Sequence, residues 1–239
     1  MFFVLPMTSI FWIYLLAAVV PAVILMKFIY DQDTVEHEPL SLLFRLLLGG
    51  VLAALVSIVL ETIGEGILDT FLSQDSPNYS IISAFLVVAV VEEGSKFFFL
   101  KRRTWKDPNF NYRFDGIVYA AFVSLGFAAF ENIGYVFGYG LSVSISRAFL
   151  SIPGHLGFSV FMGAHYGRAK LCADEGDEAG KKKNLFLAWF LPVLLHGFYD
   201  SCAMIGTGIA TLLFIVFVIV MYIIVFRKIK HESHTDEPV

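Results

Sequence analysis

The chain has 239 residues, of which 57% are hydrophobic and 16% charged, with a formal net charge of -4. Soluble domains carry roughly 25% charged residues, so a water-facing surface cannot be built from this composition, and a soluble enzyme or a disordered tail is excluded. A net negative charge also offers no footprint for DNA or RNA, so no nucleic acid is expected as a partner and the lipid bilayer is the expected solvent. The two cysteines, Cys172 and Cys202, are too few for a disulfide framework and receive no role.

A membrane helix needs about 20 mostly apolar residues. Seven windows qualify: 8–29, 41–61, 81–100, 114–138, 144–167, 185–206 and 208–226. The first is longer than the apolar core of a cleaved signal sequence and has no Lys or Arg before Lys27, so it is read as a span. The expected fold is all-α: a polytopic membrane helical bundle of about seven transmembrane helices. The basic residues set its orientation. They gather after window three (Lys101, Arg102, Arg103, Lys106, Arg113), after window five (Arg168, Lys170, Lys181, Lys182, Lys183) and after window seven (Arg227, Lys228, Lys230). The loops at 62–80, 139–143 and 206–208 contain none. By the positive-inside rule the basic side is cytoplasmic, which places the N-terminus outside and the C-terminus in the cytoplasm.

One membrane-embedded domain over 1–239 is expected. It divides into N-terminal spans and an outer helix (1–72), a four-helix core (81–206), and a last span with a cytoplasmic tail (207–239). The turn Asp31 to Glu38, the loop Asp174 to Lys183 and the tail from His231 are read as solvated connectors. Glu61, Glu65 and Asp69 recur every four residues, which makes them one face of a helix, most simply a wet one. Asp115 at the start of window four is most simply an N-cap.

Ionisable groups at mid-bilayer cost roughly 2.5 to 3.5 kcal/mol each and by default mark a site. Here Glu92, Glu93 and Lys96 fall in window three, Glu131 in window four, His155 in window five, and His196 with Asp200 in window six. Glu92, His155 and His196 are each the twelfth residue of their windows, so three helices deliver acid and imidazole groups to matched depth. Lys96 lies four residues after Glu92 and three after Glu93, on the same helical face, where its ammonium can hold one carboxylate ionised and leave the other to titrate. His196 and Asp200 share the i, i+4 relation, so the carboxylate can orient the imidazole. Glu131 is followed by Asn132, with Tyr135 one turn on. Pro153 and Gly154 precede His155 and can open the backbone locally, while Ser159, Gly163 and Gly167 repeat at the four-residue spacing of closely packed helices. The plain alternatives are a buried structural ion pair for Glu92, Glu93 and Lys96, and satisfied core histidines for His155 and His196. Neither an H-E-x-x-H helix nor a G-x-S-x-G elbow occurs, which leaves Glu and His, the components of water activation with or without a metal.

These residues resemble the motifs of the PrsW-type intramembrane proteases. Val91-Glu92-Glu93-Gly94-Ser95-Lys96 resembles the family's E-E-x-x-K motif, with Val91 where some members carry a further acid. Asp115-Gly116, Tyr119-Ala120, Gly126-Phe127-Ala128 and Glu131-Asn132 resemble its second stretch, Pro153-Gly154-His155 with Gly163 its third, and His196-Gly197 with Asp200 its H-G-x-x-D motif. The resemblance covers about residues 88–202 and relates the chain to a wider group that includes the CAAX prenyl endopeptidases. It implies a peptidase of the bacterial plasma membrane acting on membrane-anchored protein substrates such as anti-sigma factors. It carries Glu92, Glu93, His155 and His196 over as catalytic residues, with Lys96, Glu131, Asn132 and Asp200 in support. A zinc or other divalent ion on His155, His196 and Glu131 and a metal-free glutamate mechanism are both left open. The competing class is a scaffold or a proton or cation pathway built from the same groups. A pathway would be expected to show repeated halves, which the sequence lacks.

Overall fold

The computed structural model describes residues 7–76 and 78–239; the first six residues of the N-terminal part lie outside the described residues. Among these the chain is helical throughout, with no strand and one isolated bridge, Tyr112 to Pro238. In order the elements are α1 (Met7–Gln32), α2 (Leu40–Phe71), α3 (Tyr79–Ile82), a π-helical segment (Ser83–Ala89), α4 (Val90–Thr104), α5 (Asp115–Tyr139), α6 (Ser142–Phe149), α7 (Ser151–Asp174), α8 (Glu178–Ile205) and α9 (Gly208–His234).

Five of these, α1, α2, α5, α8 and α9, are long and apolar enough to cross a membrane, so the chain is a multi-pass membrane protein. The other two expected windows are helical but irregular. Window 81–100 runs through α3, the π-helical segment and α4, and holds Glu92, Glu93 and Lys96. Window 144–167, expected as one span, is two helices: Leu150 departs from helical geometry at ψ -64 and φ -117, so α6 ends at Phe149 and α7 begins at Ser151. Pro153 then sits in the first turn of α7, where no backbone N–H is needed.

The core is built around α5, buried over most of its length between α1, α2 and α7, with α8 beyond α7. Large apolar side chains point outward along the rim, including Leu16 and Val20 on α1, Val59 on α2 and Val216 on α9. That is the inversion expected of a bundle whose outer solvent is hydrocarbon. Where α5 meets α7 the backbones themselves touch. A Cβ on Gly116 would lie 2.6 Å from the Gly163 carbonyl oxygen and 2.7 Å from the Gly167 nitrogen, so the small-residue spacing read from the sequence does set this contact.

Three segments expected as solvated or capping are tied down instead. Asp33 and Glu38, in the turn between α1 and α2, are buried; the Tyr119 hydroxyl donates to Glu38 Oε1 at 2.7 Å. The C-terminal tail docks on the turn before α5: the Phe114 N–H donates to Asp236 Oδ1 at 2.8 Å, the Val239 N–H to the Asn111 carbonyl at 2.8 Å, and Arg113 pairs with Glu232 and Glu237. Asp115 does not cap α5. Its carboxylate accepts the backbone N–H groups of Asn111 at 3.1 Å and Tyr112 at 2.8 Å, and so folds the preceding turn onto the helix start.

Candidate active site

The site is assembled where the π-helical segment gives way to α4. A π turn is uncommon and concentrates at functional positions because it shifts the register of the side chains that follow. Glu92 and Glu93 come in the first turn after it. Their carboxylates and Lys96 are buried together: the Lys96 Nζ donates to Glu92 Oε2 at 2.9 Å, to Glu93 Oε1 at 2.8 Å and to His155 Nδ1 of α7 at 3.1 Å. An ammonium has three protons, so all three are committed. Its outer side lies 4.1 Å from the centre of the Phe127 ring of α5.

These partners fix the histidines. Because Lys96 donates to Nδ1, that nitrogen of His155 accepts, and the ring proton sits on Nε2, which donates to Glu131 Oε2 at 3.1 Å. The same Glu131 oxygen accepts from Arg147 of α6 at 2.8 Å, and Arg147 Nε donates to Asn132 Oδ1 at 2.9 Å. Asn132 spends its amide protons on the Ala18 carbonyl of α1 at 2.7 Å, which makes it a strut and places it behind the reacting groups. His196 lies between two carboxylates, with Nδ1 2.9 Å from Glu93 Oε1 and Nε2 3.2 Å from Asp200 Oδ2. Its ring stacks on Phe158 at 4.8 Å and meets the His155 ring edge-on at 5.5 Å. Pro192, one turn earlier in α8, lacks the N–H that would bond the Ala188 carbonyl and so loosens the helix just before His196.

All eight residues expected from the sequence therefore join one network. A cavity of about 660 Å³ opens onto it, lined by Glu92, Glu131, His155, His196 and Asp200. Glu93 and Lys96 are not on its wall: both are 0% exposed, behind Glu92. Three contributors were not singled out as site residues. Among the described residues Arg147 is the one Lys or Arg lining the cavity, and Tyr135 stacks under its guanidinium at 3.9 Å. Glu61 and Glu65 of α2, read as a wet face, line the same cavity. Their four-residue spacing was the available signal. Arg147 lies in window 144–167, where an ionisable group was itself a signal, and its partners Glu131 and Asn132 belong to the preceding helix α5.

Among the described residues, the acid and imidazole groups whose ligand atoms lie within 4.8 Å of one another are Glu92, Glu93 and His155. The expected set of His155, His196 and Glu131 does not gather this closely, because Glu131 is drawn toward Arg147 and the Nε2 of His196 faces Asp200. Two carboxylates and an imidazole suit zinc, and Glu93 Oε2 is buried with no hydrogen-bond partner. The donor set fits a divalent ion, with one condition. The Lys96 ammonium already bridges the same three side chains, so an ion could enter only if that ammonium withdrew.

A buried Glu and His cluster on membrane helices, open to a cavity, fits the class of membrane-embedded hydrolases. A family model described as PrsW family intramembrane metalloprotease matches residues 38–226, and the chain belongs to that family. It is 35% identical over 227 residues to a protein named Protease PrsW from Clostridioides difficile (strain 630), covering 93% of this chain and 92% of that one. It is 32% identical to the Protease PrsW of Halalkalibacterium halodurans, covering 93% and 98%, and 37% identical to that of Geobacillus kaustophilus, covering 77% and 76%. No solved structure matches it.

Proposed function

We propose that the chain is an intramembrane endopeptidase that hydrolyses peptide bonds of membrane-anchored proteins, anti-sigma factors among them, with its Lys- and Arg-rich side in the cytoplasm of a bacterial plasma membrane. Residues 81–206 form the catalytic core. The observation that carries this reading is the single cavity at which Glu92, His155 and His196, from three separate helices, come together.

Glu92 is the base, because it alone of the two adjacent acids lines the cavity. It takes a proton from water as the water oxygen bonds to the scissile carbonyl carbon, and returns that proton to the leaving amine as the C–N bond breaks; a placed base is worth typically about 10²- to 10⁴-fold. The Nε2–H groups of His155 and His196, now donated to Glu131 and Asp200 at the cavity wall, are the donors available to the carbonyl oxygen as it gains charge. Glu93 and Lys96 touch no substrate and act by positioning Glu92 and both histidines. If a divalent ion is bound, Glu92, Glu93 and His155 would hold it, and it would supply Lewis acidity to the carbonyl and the attacking water.

The test is coexpression with a tagged single-span substrate while Glu92, Glu93, Glu131, His155 and His196 are replaced one at a time by Ala. Loss of cleavage in the Glu92, His155 and His196 variants is expected; cleavage persisting in all five would leave a scaffold or an ion pathway in its place. Metal analysis of purified protein across a chelator series separates the two chemistries. Stoichiometric zinc lost together with cleavage supports the metal version, and cleavage unchanged by chelation supports glutamate alone.

A further inference from the structure

A second cavity, of about 970 Å³, lies apart from the one at the catalytic cluster. It lies between the end of α4 and the first half of α8, within the size range of ligand sites. Its walls are apolar and aromatic: Phe97 and Phe98 from α4 face Phe186 and Trp189 from α8. Phe98 and Phe186 are exposed, at 60% and 53%, and so open toward the hydrocarbon. The inner end is Gly94, next to Glu93, where a Cβ would meet the Trp189 indole nitrogen at 3.6 Å. The rim is cationic. Lys101, Arg102, Arg103 and Lys106 all line it, all are exposed, and among the described residues none of the four pairs with an acid. The one acid on the rim, Asp107, is occupied by the Asn109 backbone N–H at 3.0 Å and its side-chain amide at 2.7 Å.

An apolar slot ending in unpaired cations has two halves to satisfy. A free phosphate would satisfy only the rim. A substrate's membrane span would satisfy only the walls, because by the positive-inside rule it carries its own Lys and Arg at this end, and like charges would meet. An anionic phospholipid satisfies both. We propose that this cleft is a binding site for an anionic phospholipid, its phosphate held by the Lys101, Arg102, Arg103 and Lys106 rim and an acyl chain lying along Phe97, Phe98, Phe186 and Trp189. Basic pockets between membrane helices recognise lipid headgroups in this way. The site shares no side chain with the catalytic network and stands independently of the protease reading.

Two tryptophans, Trp105 and Trp189, line the cleft, and the third, Trp12, is 58% exposed on α1. The full chain carrying Trp12→Phe is reconstituted into phosphatidylcholine bilayers with a fixed fraction of brominated phosphatidylglycerol or, in parallel, brominated phosphatidylcholine, and tryptophan quenching is read. The phosphatidylglycerol form quenches more strongly, the preference falls with added salt, and it drops by roughly fivefold for each rim cation changed to Gln, vanishing in K101Q/R102Q/R103Q/K106Q. These side chains are exposed, and circular dichroism is used to check that the variant folds. Equal quenching by the two lipids, or a preference that survives the fourfold variant, would overturn the proposal. So would relief of phosphatidylglycerol quenching by an added single-span peptide with Lys and Arg flanks, which would assign the cleft to substrate.

Discussion

Glu92 and Glu93 are neighbours in sequence and lie about 100° apart around a helix, which is enough to give them different surroundings. Glu92 reaches the cavity wall; Glu93 turns inward, fully buried against Lys96 and His196. Spacing alone showed that Lys96 would lie over both acids and that Asp200 would reach His196, since i, i+3 and i, i+4 contacts are local. Which acid faces the cavity depends on how α4 is rotated, and the π-helical segment sets that rotation without leaving a compositional trace. The pairing of Arg147 with Glu131 and the stacking of Phe158 on His196 were illegible for a related reason: each is a contact between two different helices, which spacing within one helix does not report. Lys96 pairs with two buried carboxylates at once. Removing one partner of a buried ion pair costs about 3 to 5 kcal/mol, so Lys96→Met should lower the melting temperature in detergent markedly, whereas Lys101→Met, on the exposed rim, should leave it nearly unchanged. Comparable melting of the two variants would contradict the described network.

At the scale of the element, α5 and α7 are held by backbone contact at Gly116 and Gly163, and no side chain can be added there without separating the helices. Overpacking typically costs about 1 to 3 kcal/mol. Gly163→Leu should therefore destabilise the fold by that order and also move His155, two turns away on α7, so that cleavage falls further than the melting temperature alone would suggest. Retained activity with an unchanged melting temperature would contradict the close approach. The turn between α1 and α2 gives a pH dependence. Burial raises Asp33 to about 6 and Glu38 to about 7, from ordinary values near 4. Each folded-state value lies above the unfolded one, so the folded state binds protons more tightly. The resulting stability is present below about pH 4 and is lost as pH rises through 6 and 7. Glu38→Gln, which keeps the neutral form, should be more stable than the parent at pH 8 and lose that advantage near pH 4; thermal melting at the two pH values checks it. The turn's charge pattern was plain in the sequence, but its burial follows from docking against Tyr119 and the C-terminal tail, contacts about 80 and 200 residues away in the chain.

At the scale of the whole molecule, the bundle uses its most apolar helices, α1, α2 and α9, as the lipid-facing rim and places the polar residues of α4, α7 and α8 around a shared interior. An all-helical membrane fold followed from hydropathy because lipid allows few alternatives. The number of regular spans was less legible. Two of the windows that supply site residues, 81–100 and 144–167, are the ones whose helices break or change type, and a window of mean hydropathy cannot register either event. In the proposed function Glu92, facing a cavity lined from α2 and from α4 to α9, activates water for peptide hydrolysis. The measurement that tests it most directly is the single-turnover cleavage rate of a purified, reconstituted Glu92→Gln variant on a single-span substrate, with folding verified by its melting temperature. A fall of about 10²-fold or more with the fold intact is the predicted result; cleavage at the parent rate would contradict it.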